Sequence, residues 1–125
     1  MIWIVRGAVA LVGLFFTAMG LTALFMPEQI GEIFQLTANS EVGRSAIRAD
    51  LGGFFLGGGL LALAGVVRSN AQWLGAATLL IVIALTGRLI GGLSGGFPEA
   101  VIQSMGVEIV LILILVTAMR TFPSK

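Results

Sequence analysis

The chain contains no cysteine, no histidine and no tyrosine. These absences exclude disulfides, thiolate and imidazole metal sites, histidine-ligated haem, histidine acid–base catalysis and tyrosyl chemistry. Charge is also scarce: only 10% of the 125 residues are Asp, Glu, Lys or Arg, against about 25% in a soluble domain. A soluble protein of this length could not cover its surface with so few. The net formal charge of +1 offers no basic field to attract nucleic acid. No serine sits beside a candidate base, so a serine nucleophile has no support. The chemistry left is a few Arg, Asp and Glu, with Ser and Thr.

What the sequence has is apolar residues, 58% of the total, and a mean hydropathy of +1.08. They fall in long runs that point to an all-α integral membrane protein. A single domain over residues 1–125 is expected, a four-helix bundle running up-down-up-down. The spans are placed at about 2–26, 46–67, 73–90 and 100–119, each near the roughly 20 residues that cross a bilayer. The first run is too long for the apolar region of a signal peptide and no small-residue cleavage site follows it, so it reads as a retained span. Pro27 ends it. In the polar stretch from Pro27 to Ser40, Ile30, Ile33, Phe34 and Leu36 recur at near-helical spacing opposite Glu28, Glu32 and Gln35. A short amphipathic helix at the membrane surface fits that pattern, as does an ordinary loop. Asn39 or Ser40 can cap the second span. Arg68 to Gln72 and Gly91 to Pro98 read as turns, with Pro98 and Glu99 suited to open the last helix.

Four spans put both termini on one side, together with Arg6, Arg68, Arg120 and Lys125. The excess of unpaired cations there favours a cytoplasmic placement of both termini, and Trp3 and Trp73 would then sit at the same interface. Four further charges lie inside or at the edge of the spans: Arg48, Asp50, Arg88 and Glu108. Asp50, Arg88 and Glu108 fall roughly 6, 3 and 12 Å below the outer edge at 1.5 Å per residue. The four can therefore meet in one layer in the outer half of the bundle, with Ser104 one turn from Glu108. Intramembrane charges cost roughly 2.5 kcal/mol or more and are normally paired or turned to a cavity. Arg88 is the expected partner of Glu108. Asp50 shares a stripe with Gly53 and Gly57 and is assigned to a helix interface; Arg48, two residues away, is assigned to the rim. Gly13 and Gly20, with Ala10 and Thr17, form a small-residue stripe on the first helix. Gly13, Gly20, Gly53 and Gly57 are thus the expected packing glycines.

The segment RADLGGFFLGGGLLAL from Arg48, the pair Gly87-Arg88 followed by GGLSGGFP, and the glutamate of the last span resemble an uncharacterised bacterial family of four-helix membrane proteins. That family carries a domain of unknown function and is distantly similar to DoxX-like proteins. The strongest matches are Arg48, Asp50, Gly52, Gly53, Gly87, Arg88 and Glu108. The resemblance implies the four-helix architecture and a bacterial inner-membrane location. It supplies no activity; DoxX-like relatives are described as accessory subunits of membrane redox systems, and this chain has no redox ligands.

The functional expectation is a non-enzymatic membrane protein with no catalytic residues, metal or cofactor. It would be an accessory or ligand-binding bundle whose charged layer (Arg48, Asp50, Arg88, Glu108, Ser104) holds a lipid headgroup, quinone or small molecule. Candidate partners are membrane lipids, a second copy of the chain or another membrane protein. The alternative is a small oligomeric transporter or channel with Glu108 as proton or cation site.

Overall fold

The computed structural model describes residues 2–122; Lys125, counted above among the cations of one face, lies outside them. Five helices follow in order: α1 (Ile2–Phe25), α2 (Pro27–Phe34), α3 (Glu41–Val67), α4 (Ala71–Gly95) and α5 (Glu99–Thr121). The described residues contain no strand. α1, α3, α4 and α5 are each long and apolar enough to cross a membrane. Their outward faces carry Leu11, Leu14, Ile83, Ile90 and Leu113, a surface that suits lipid and not water.

Local chemistry sets the helix ends. Pro27 occupies the first turn of α2, where its missing N–H costs nothing. α2 closes on Gln35 in the left-handed region (φ 57°), with Leu36 N–H donating to Gly31 O at 2.7 Å. Ser69 (φ 48°) ends α3 in the same way, with Asn70 N–H donating to Gly65 O at 3.0 Å. The Ser40 side chain caps α3 by accepting from Gly43 N–H at 3.2 Å, and the Asn70 side chain caps α4 by accepting from Gln72 N–H at 2.9 Å.

One boundary is the capped start read at Ser40, and one differs from the sequence reading. α3 starts at Glu41, so its 27 residues span roughly 40 Å and its first turns project beyond a hydrocarbon core of roughly 30 Å. α4 does not stop at Ile90; it continues through the glycines to Gly95 and ends where Gly96 adopts φ 90°. Glycine weakens a helix by about 1 kcal/mol in water but does not break it, and Phe97 folds back over Gly92 to cover the extra turn.

The helices alternate in direction. At one end, the Arg6 guanidinium of α1 donates to Ser69 Oγ (2.6 Å) and Val66 O (2.8 Å) beyond and at the end of α3. It also lies 5.6 Å from the Trp3 ring centroid and 5.4 Å from that of Phe122. This single cation ties the start of α1 to the ends of α3 and α5. The core beneath it is apolar, with Val9, Leu74, Leu115 and Ala118 fully buried.

α1 and α3 form the tightest contact. A Cβ at Gly59 would lie 2.6 Å from Thr17 N, one at Gly20 would lie 2.6 Å from Leu56 Cα, and one at Gly13 would lie 2.7 Å from Leu63 Cγ. Only hydrogen fits at these points, so the two backbones approach closely and gain dispersion contacts. Gly13 and Gly20 pack as expected. Gly53 and Gly57 do not: a Cβ on either meets nothing within 4 Å. The packing stripe of α3 is one residue round the helix, through Gly52, Leu56, Gly59 and Leu63.

Candidate ligand-binding cavity

The opposite half of the bundle is not filled. A cavity of about 410 Å³ lies among α1, α3, α4 and α5, bordered by Ile33 and Phe34 of α2 and by Gln35 just after it. α2 reaches this position because its apolar side docks: Ile30 is fully buried and the Phe34 ring lies 5.5 Å from that of Phe55. Arg44 clamps the start of the hairpin between α2 and α3 through Glu28 (2.7 Å) and Glu41 (2.8 Å).

One end of the cavity is polar. Arg88 Nε donates to Glu108 Oε1 at 3.0 Å, joining α4 to α5. The continuation of α4 explains the match in depth. Counted from the shared turn, Arg88 lies seven residues and Glu108 nine residues inside their helices, or roughly 10 and 13 Å at 1.5 Å per residue. The Glu108 side chain is 11% exposed and that of Arg88 31% exposed. Gln103 and Ser104 border the same space. Arg88 also borders a second cleft of about 540 Å³, lined by Gly87, Gly91 and Gly95 of α4 and by Pro98 and Val101. Its guanidinium thus stands between the two spaces.

The other end is aromatic. Phe16 packs edge-on to Phe55 (5.0 Å between centroids), Phe54 edge-on to Phe55 (4.9 Å), and Phe15 lies 6.1 Å from Phe16. With Phe34, five rings from three helices line one space. The signal available in the sequence was the two doublets, Phe15-Phe16 and Phe54-Phe55, which antiparallel helices bring to a similar level.

The expected charged layer therefore divides. Arg88, Glu108 and Ser104 share the cavity. Arg48 does not join them; it is partly buried, and its Nε donates to Leu24 O at 2.9 Å, satisfying a carbonyl of the last turn of α1. Asp50 is exposed, not in a helix interface. Once Arg48 points at α1, a residue two positions on is turned by about 200° and must face away.

The cavity holds an ion pair and neutral hydrogen-bonding groups, with no hydrogen-bonded nucleophile–base pair among the described residues. No cluster of three or more Asp, Glu, His or Cys that could hold a metal occurs among those residues. Such a site can hold and orient a molecule and polarise an acceptor oxygen.

No curated protein and no solved structure matches the chain. Residues 4–119 match the domain of unknown function DUF4345, and the chain belongs to that family.

Proposed function

We propose that this DUF4345 protein is a non-enzymatic membrane protein, an accessory or ligand-binding bundle that takes a small molecule or lipid into the cavity beside Arg88 and Glu108. The observation that carries the reading is the cavity itself. It is of ligand size, mostly apolar, and ends on a few convergent polar groups. An ion pair kept only to lock α4 to α5 would be expected to have packing on all sides, and this one borders open space on both sides of Arg88.

The transporter reading has less support within one chain. Below the cavity the bundle closes on Val9, Leu74, Leu115 and Ala118, all fully buried, an apolar layer between Glu108 and the other face. The cavity lies in the half of the bundle that carries α2 and the α4–α5 turn. We place that side outside, with both termini in the bacterial cytoplasm, because Arg6, Arg68 and Arg120 gather at the other end with no acidic residue there among those described. Single-cysteine replacements at Ser69 and Ser94 test the orientation: labelling from opposite sides, with Ser94 outside, is expected.

Native mass spectrometry of the gently extracted protein tests the function. A co-purifying small molecule is expected on the wild type and absent from Ser104→Phe, whose ring would occupy the polar end. A wild type free of any adduct, in membranes and detergents of several compositions, would contradict the reading.

A further inference from the structure

We infer that the molecule this cavity takes is an uncharged amphiphile whose head carries carbonyl-type acceptors, with the head against Arg88 and the tail among the phenylalanines. The inference rests on the ligand-binding reading above and narrows it to a chemical class.

Charge balance comes first. Among the described residues, Arg88 and Glu108 are the only ionisable groups lining the cavity, they have opposite sign, and they already pair at 3.0 Å. Their formal sum is zero. A carboxylate, phosphate or ammonium head entering this site would bring a charge with no uncommitted counter-charge. It could gain a partner only by taking it from the existing pair. A neutral head pays neither cost.

The supply of hydrogen-bond donors comes second. Arg88 offers five N–H groups, and its hydrogen bond to Glu108 uses Nε alone. The two terminal nitrogens have no partner among the described residues, and neither do the side chains of Gln103 and Ser104. Arg88 alone leaves four N–H groups uncommitted and has no acceptor, so the head that complements it carries acceptors: a ring ketone or an ester carbonyl. The second Glu108 oxygen is left to accept from a hydroxyl.

Access comes third. Phe15 on α1, Ile33 on α2 and Val107 on α5 border the cavity, and all are more than half exposed. The mouth is therefore apolar and faces the surrounding lipid, a route for a molecule already dissolved in the membrane. A tail can trail through it while the head stays inside.

Four probes with equal ten-carbon tails separate head chemistry from tail burial: decylubiquinone, monodecanoylglycerol, decanoate and decyltrimethylammonium. Each is added at the same probe-to-lipid ratio to the full-length protein in nanodiscs, and the thermal unfolding midpoint is read against Ser104→Phe. The two neutral probes should raise the midpoint of the wild type and leave Ser104→Phe unmoved. The stronger of them tells a ring ketone from an acyl ester. The two ions should shift neither protein. In Glu108→Gln the site gains a net positive charge, and decanoate should then bind at least about tenfold more tightly than to the wild type. If either ion stabilises wild type as well as the neutral pair does, the ligand class is wrong and the cavity remains a binding site. If no probe distinguishes wild type from Ser104→Phe, both this inference and the binding reading fall. The wild-type comparison decides the matter even if Glu108→Gln does not fold.

Discussion

Breaking the Arg88–Glu108 pair from each side should give unequal losses, and the inequality can be worked from burial. Arg88→Met leaves a carboxylate whose side chain is 11% exposed, too short to reach the membrane surface. An uncompensated buried charge of this kind costs about 3–5 kcal/mol. Glu108→Gln leaves a guanidinium whose side chain is 31% exposed and borders two open spaces. That cation keeps access to water, and Gln still offers an acceptor oxygen, so the loss should be about 1–2 kcal/mol. The double variant removes both charges and should cost less than the sum by at least about 1 kcal/mol. Reversible unfolding in mixed dodecyl maltoside and SDS micelles, followed by far-ultraviolet circular dichroism, measures all four corners of the cycle. Additive losses would show that the two side chains do not interact. A larger loss for Glu108→Gln than for Arg88→Met would show that the burial argument assigns the exposed partner wrongly.

Two further predictions concern the α1–α3 contact. Gly59→Leu should destabilise the fold by about 1–3 kcal/mol through overpacking against Thr17, whereas Gly57→Leu, two residues away with open space around it, should be neutral or slightly stabilising in the same unfolding assay. Thr17 Oγ is buried with no hydrogen-bond partner among the described residues. Thr17→Val should therefore hold or raise stability, by about 1 kcal/mol, and a clear loss would mean that the hydroxyl has a partner.

The spans were legible because lipid imposes continuous apolar runs of bilayer length, and the composition leaves no other way to cover the surface. The Arg88–Glu108 pair was legible because two opposite charges deep in neighbouring antiparallel helices have few alternatives. Glycine was the less readable signal. In α3, Gly52 and Gly59 form one stripe and Gly53 and Gly57 another, one residue apart, and both satisfy a small-residue pattern. The stripe of Gly53 and Gly57 was read as the packing face, and Asp50 was assigned to a helix interface because it lies on that stripe. The structure instead spends Arg48 on the last turn of α1, which leaves Asp50 outside. In α4, glycines read as a turn are helical, because a glycine run permits a turn without requiring one. The cavity was not readable. Its walls depend on where α2 docks and on how three helices present their phenylalanines at one level, and neither is written in the period of any single helix.

The most direct measurement is an experimental density map of the protein carried from its native membrane into lipid nanodiscs, without detergent exchange. The account predicts non-protein density at the Arg88 guanidinium, beside Gln103 and Ser104, running on past Phe16 and Phe55 toward the mouth at Phe15 and Val107. A map in which that space is collapsed, with the Phe34 and Phe54 side chains filling it and Arg88 and Glu108 packed on all sides, would contradict it.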